Sequence, residues 1–289
     1  MTTEQGRRAA VSGGSGYLGS VITDRLQADG WSTVTLSRTE KPGLWRRFVL
    51  GAPLEPGLLE GIDLLVHCAY DMTVRAPADI WRVNVDGARA LLEAARAGGA
   101  PRVIVLSSMS AFEGTTQLYG RAKLEIEAHA RRLGACSVRP GLVYGPRAGG
   151  MAGTLSRLVR LPVTPLVGGR SYQFTVHEDD IAASISALAA AESLPLEPIG
   201  IANPVPVPFR TVLQHFAREQ GRKCRLVPVD WRLVLAALSV AEKLPLPLPV
   251  RADSLLGLVR PAPGVPNLEV LASLGVRLRR FGQPVPPPG

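Results

Sequence analysis

Glycines stand at positions 13, 16 and 19, between a short apolar run, residues 8–12, and a segment in which Leu18, Val21, Ile22 and Leu26 recur at helical spacing until Asp29-Gly30. A strand that passes through a glycine turn straight into a helix constrains the fold more than any other feature of this chain. The glycines allow a tight turn and close backbone approach. The helix N-terminus behind them offers unpaired N–H groups and a partial positive charge, a suitable seat for a pyrophosphate.

Strand and helix signals keep alternating after this turn. Residues 31–36 read as strand two, 47–50 as a weak strand three and 63–69 as a buried strand four. A helix over 79–97 ends at Gly98-Gly99, a strand follows over 102–106, then a helix over 118–133 and a strand over 135–139. This alternation predicts an α/β fold with a doubly wound parallel sheet covered on both faces. Past Gly145-Pro146 prolines crowd the sequence (Pro162, Pro165, Pro195, Pro198, Pro204, Pro206, Pro208, Pro245, Pro247, Pro249), and short helices over 181–191 and 210–220 sit among them. We therefore expect a dinucleotide-binding core over 1–146 and, over 147–289, mainly a smaller substrate-binding lobe packed on it. Residues 284–289 read as a frayed tail. The stretch 231–244, apolar nearly all round, reads as core or as lining for the substrate pocket.

Composition excludes several classes. The 289 residues carry a formal charge of +9, but only four of the 33 cations are lysines (Lys41, Lys123, Lys223, Lys243), and the arginines are scattered without a basic block. No nucleic-acid partner is expected. No run approaches the roughly 18 apolar residues of a membrane span, so no membrane partner is expected either. The N-terminus lacks the pattern of a secretory signal, and Cys68, Cys136 and Cys224 form no CxxC pair; a reducing cytoplasm fits, with neither disulfides nor a metal site.

Tyr119-Gly-Arg-Ala-Lys123 puts a phenol and an ammonium at i and i+4 on one helix face. A tyrosine with a pKa near 10 is a poor acid–base group at neutrality, and an adjacent cation favours its phenolate. This pair follows the strand that ends at Ser107-Ser108. His177-Glu-Asp-Asp180 reads as a set of groups complementing a helix dipole, and His67 as a packed residue near the cofactor wall. His129 and His215 have no metal-ligand partners in the pattern.

In order along the chain, the Gly13/Gly16/Gly19 loop, the fourth strand, Asn84-Val-Asp-Gly87, Ser107-Ser108, Tyr119/Lys123, Arg139-Pro-Gly-Leu-Val-Tyr-Gly-Pro146 and Val176-His-Glu-Asp-Asp-Ile181 resemble the extended short-chain dehydrogenase/reductases, the NAD(P)-dependent epimerase/dehydratase group. The likeness covers about residues 8 to 185 well. It implies a Rossmann-type sheet and a catalytic group of Ser108, Tyr119 and Lys123: Ser108 binds the substrate oxygen, Tyr119 moves the hydroxyl proton, and Lys123 holds the nicotinamide ribose and lowers the phenol pKa. It further implies cofactor contacts at Gly13, Ser15, Gly16, Tyr17, Leu18, Gly19, Ser37, Arg38, Ala69, Asn84, Ser107, Tyr119, Lys123 and Pro140. The helical faces 79–97 and 118–133 could form a homodimer contact, as in relatives, or face solvent.

Departures from the family pattern narrow the expectation. Ser37-Arg38 stand where NAD-preferring members carry an acid, with no acid beside the arginine to repel a phosphate, and this resembles the NADP(H) arrangement; NAD(H) is the lesser choice. Gly51-Ala52 replaces a Gly-Asp pair that touches adenine. Met109-Ser110 replaces the Asp-Glu pair of dehydratases, and Leu142 replaces an Asn that touches nucleotide sugars. The expectation is an NADP(H)-dependent oxidoreductase passing hydride to and from a carbonyl or secondary alcohol of a small or moderately apolar small-molecule substrate. The alternatives are a nucleotide-sugar epimerase or reductase, with Arg147, Arg157, Arg160 and Arg170 supplying a diphosphate surface, and a non-catalytic NADP-binding subunit.

Overall fold

The computed structural model describes residues 6–147, 149–242 and 251–283; Pro245, Pro247, Pro249, the end of the 231–244 stretch and the expected tail at 284–289 lie outside these. The first lobe is built from β1 (Arg8–Ser12), α1 (Tyr17–Ala28), β2 (Ser32–Ser37), β3 (Trp45–Arg47), β4 (Leu64–His67), α2 (Pro77–Ile80), a π-helical turn (Trp81–Asp86), α3 (Gly87–Ala97), β5 (Arg102–Leu106), α4 (Leu118–Arg132) and β6 (Cys136–Pro140). There follow β7 (Leu142–Tyr144), α5 (Gly150–Leu158), β8 (Thr164–Val167), β9 (Tyr172–Gln173), β10 (Thr175–His177), α6 (Glu178–Ala190), β11 (Ile199–Ile201), β12 (Val207–Pro208), α7 (Phe209–Glu219), β13 (Leu226–Val229), α8 (Trp231–Ala241), α9 (Ala252–Val259) and α10 (Glu269–Ser273).

Seven parallel strands form the central sheet in the order β11-β6-β5-β4-β1-β2-β3. Its strands alternate between two cores with the two-residue period of a pleated sheet. Ala9, Val11, Leu64, Val66 and Ile104 pack with Ile22, Leu26, Ile181 and Ile185 on the α1/α6 face. Ala10, Leu65 and Val105 pack with Val85, Leu91, Leu92 and Ile126 on the other. Strand order reverses between β1 and β4, and at such a switch point the loops leaving the two strands diverge and open a crevice.

Several sequence expectations shift. The chain does not leave the first lobe at residue 146: α6 packs on α1 and β11 pairs with β6, because both bury apolar faces that only the sheet can cover. The third strand lies at 45–47, anchored where Trp45 Nε1 donates to Ser37 Oγ at 3.0 Å. The single helix expected over 79–97 starts at Pro77 and contains the π-helical turn. The apolar helix α8 is neither core nor pocket lining. It packs Val234, Leu235 and Leu238 against the second-lobe core, has no fully buried residue, and leaves Leu233 70% and Val240 63% exposed. Among the described residues no helix is long and apolar enough to cross a membrane.

Candidate functional site

A cleft of about 800 Å³ opens at the carboxyl ends of β1, β4, β5 and β6, between the two lobes. Its inner end is the glycine turn. Gly13 has φ +68°, and a Cβ there would come within 2.9 Å of the Ala69 backbone, while one at Gly19 would lie 2.1 Å from the Gly13 carbonyl. Only glycine lets the turn lie this close to the strand and helix. No side chain caps the N-terminus of α1, so its first N–H groups remain available to an anion. These features fit a dinucleotide pyrophosphate.

The reactive end is set by α4. Gly120 lets this helix pack against the preceding turn, since a Cβ there would sit 2.2 Å from the Ser110 carbonyl. Arg139 of β6 grips Glu127 of α4 through paired bonds of 2.8 and 2.6 Å in a buried ion pair. Lys123 is buried and donates from Nζ to the carbonyl of Leu106, the last residue of β5, at 2.7 Å. The same Nζ lies 4.8 Å from the Tyr70 ring centroid and 5.9 Å from that of Tyr119, and the two rings meet edge to face at 5.0 Å. Burial lowers the Lys123 pKa to about 8. Burial, opposed by the Ser108 hydroxyl, raises that of Tyr119 to about 12, which favours the protonated phenol.

Ser107, Ser108, Tyr119, Lys123, Pro140, Gly13, Gly16, Tyr17, Leu18 and Gly19 all border the cleft. Ser15, Ser37, Arg38, Ala69 and Asn84 do not. Ser15 is exposed on the outside of the turn. The Ser37 hydroxyl donates to the Thr39 carbonyl at 2.7 Å and accepts from Trp45. The Asn84 carboxamide clamps the backbone N–H and carbonyl of Asp71 at 2.6 and 3.2 Å and so shapes the loop after β4. Ala69 backs Gly13. Arg38 is exposed beyond β2; the Asp71 carboxyl, held below the usual carboxylate range first by bonding to Thr73, also feels the Arg38 charge without pairing with it. Tyr17 donates its hydroxyl to Glu178 across the lobes, and burial drives its pKa upward.

His67 is buried, with Nδ1 2.7 Å from Ser12 Oγ, and desolvation followed by the Lys123 charge drives its pKa down to about 3. It is a neutral, buried residue that does not border the cleft. His177 caps α6, accepting the Asp179 N–H, and Asp180 binds Arg279 at 2.7 Å.

Three residues with no sequence expectation complete the site: Tyr70, Gln117 and Asp253. Gln117, two positions before Tyr119, was the one such residue near a recognisable motif. Asp253 comes from the second lobe, and its carboxylate accepts the N–H groups of Leu118 and Tyr119. The cleft lining is mostly apolar, with Met72, Met109, Leu142, Met151, Phe174 and Leu258, and it also carries Arg75, Arg251 and Arg260. Among the described residues no cluster suited to a metal occurs.

The sequence matches the family described as the NAD dependent epimerase/dehydratase family over residues 9–195. It is 31% identical to a ceramide reductase of Caulobacter vibrioides, across 84% of this chain and 80% of that one. It is 27% identical to the 4-hydroxy-2-methyl-3-oxo-4-farnesyl-3,4-dihydroquinoline-1-oxide ketoreductase of Stigmatella aurantiaca, across 82% and 80%. The fold superposes on the Thermus thermophilus UDP-glucose 4-epimerase, solved with NAD, at a TM-score of 0.68 over 93% of each chain with 20% identity.

Proposed function

The chain belongs to the NAD-dependent epimerase/dehydratase family and is an NAD(P)-dependent oxidoreductase, and on that footing we propose that it uses NADP(H) to interconvert a carbonyl group and a secondary alcohol on a predominantly apolar metabolite. The predominance of apolar side chains in the lining of the cleft that Ser108 and Tyr119 border carries this reading. The names of the two relatives point the same way, since a ceramide and a farnesylated quinoline are largely hydrocarbon. Arg147, Arg157, Arg160 and Arg170 do not border the cleft, Arg147 binding Asp24 and Arg160 binding Gln220, whereas Arg75, Arg251 and Arg260 do border it, so a nucleotide-sugar substrate calls for a direct test by nucleotide titration.

The bound dinucleotide supplies or takes up hydride at the reacting carbon. The protein does the rest. Tyr119, protonated across the neutral range, gives its proton to the oxygen that becomes the hydroxyl, and Ser108 hydrogen-bonds that oxygen. The Lys123 ammonium, held by the Leu106 carbonyl, stabilises the phenolate left behind. The first turn of α1 would hold the pyrophosphate, and Arg38 would supply a cation for a 2′-phosphate.

Arg38 makes no ion pair among the described residues and is exposed, which leaves its guanidinium free to meet a phosphate. NADPH should bind about tenfold more tightly than NADH at low salt, with the gap narrowing as salt rises. Titrating both cofactors into the native protein and Arg38→Ala tests this. Equal affinities in the native protein, or equal losses in the variant, make Arg38 a loop cation and the cofactor NAD(H). The substrate class is tested by NADPH oxidation with long-chain ketones beside titration of UDP and dTDP. Micromolar binding of either nucleotide would favour a sugar-nucleotide substrate instead.

A further inference from the structure

A largely buried glutamine on the cleft wall has an amide with no protein hydrogen bond among the described residues. Gln117 is 3% exposed and borders the cleft two residues before Tyr119. It occupies the cap position of α4, yet its side chain forms no capping bond, because the helix N–H groups within its reach are taken by Asp253. Among the described residues neither Oε1 nor Nε2 of Gln117 enters a hydrogen bond. The other buried glutamine on the cleft wall, Gln173, behaves differently: its Nε2 donates to the Leu258 carbonyl at 2.8 Å. Gly257 of α9 faces the free amide, and a Cβ there would come 3.1 Å from Oε1. The glycine keeps this side chain close to α9 without forcing it away from the cleft.

A carboxamide offers donors and an acceptor, and a substrate that displaces water from it without bonding it leaves it stranded, which is unfavourable. Gln117 borders the same cleft as Ser108 and Tyr119, so a substrate bound there can satisfy it. Resting on the oxidoreductase reading above, we propose that Gln117 is a substrate-recognition residue whose carboxamide binds a substituent that both donates and accepts, a hydroxyl or a secondary amide, a few bonds from the reacting carbon of an apolar ketone or alcohol. The substrate class is thereby narrowed from any apolar ketone to one flanked by such a group. Sites built to bond a polar substituent reject analogues that lack it, because the buried protein group is then stranded.

The test compares a long-chain methyl ketone with its α-hydroxy and α-acetamido derivatives. Two quantities are measured for the native protein and Gln117→Leu: kcat/KM with NADPH, and calorimetric binding of the corresponding alcohols to the NADP⁺-loaded protein. The native protein should favour the substituted compounds about tenfold or more in both, and in Gln117→Leu both ratios should fall to about one. A native ratio near one, or a ratio that persists in Gln117→Leu, overturns the proposal. The native ratio needs no variant, so it decides even if Gln117→Leu fails to fold. If no ketone is reduced at all, the oxidoreductase substrate reading fails, and the calorimetric ratio still decides the role of Gln117.

Discussion

Asp253 and Tyr119 lie 134 residues apart in sequence, yet Asp253 Oδ2 accepts the Tyr119 backbone N–H at 3.0 Å while Oδ1 accepts that of Leu118 at 2.8 Å. The carboxylate of one lobe thus caps the helix that carries the reactive residues of the other. It satisfies two of the unpaired N–H groups and sits at the positive end of the helix dipole. One turn away, Arg251 donates to the carbonyls of Met72 and Val74, tying α9 to the loop after β4 as well.

Asp253→Ala should cost about 1–2 kcal/mol of stability in denaturant unfolding, the usual scale for losing a cap. Because the cap also fixes where Tyr119 begins, kcat should fall about tenfold while the Kd for NADPH stays near its native value. A loss of stability with kcat unchanged would make Asp253 a cap and nothing more.

The Lys123 ammonium of the free protein, with its pKa lowered by burial to about 8, should govern the pH dependence of reduction. Its charge supports the phenolate formed as Tyr119 gives up a proton, and that support is lost as pH rises through about 8. The Tyr119 phenol, at about 12, stays protonated throughout. A plot of kcat/KM for the ketone at saturating NADPH should be flat at low pH and decline as Lys123 loses its proton, since this quantity reports the NADPH-loaded enzyme before the ketone binds. Lys123→Met should be slower and lack that limb. A profile flat to pH 10 would separate Lys123 from the chemistry.

His67 makes a prediction about acid stability. Its folded pKa, about 3, lies below the unfolded value of about 6.5, so between them the unfolded chain binds more protons. The contribution is complete above pH about 6.5 and is lost as pH falls toward about 3, at up to about 1.4 kcal/mol per pH unit. Urea unfolding of His67→Gln between pH about 7 and about 4 should show a shallower acid loss than the native protein. Identical slopes would mean that His67 does not titrate on unfolding.

Local signals in the sequence carried much of this architecture. β1, the glycine turn, α1, β5 and α4 stand within a residue or two of where strand and helix periodicity put them, because each is held by its own pattern of apolar residues and turn glycines. Tyr119 and Lys123 were legible for the same reason. What the periodicity does not encode is which distant group meets which. The committed hydroxyl of Ser37, the Asn84 clamp on Asp71, the approach of Asp71 to Arg38 and the Asp253 cap all depend on packing between segments far apart in the chain. Helix α8 misleads because apolar residues on both of its faces imply burial on both, while the second-lobe core accepts only Trp231, Val234, Leu235 and Leu238.

The central claim is that Tyr119 delivers the proton in carbonyl reduction. Tyr119→Phe removes one oxygen from a ring whose contacts with Tyr70 and α4 remain. The decisive measurement is therefore the ketone-dependent turnover of Tyr119→Phe at saturating NADPH, beside its NADPH dissociation constant. The account predicts a fall in kcat of about 10² or more, the scale expected for loss of a general acid, with cofactor affinity nearly unchanged. Turnover close to that of the native protein would contradict it.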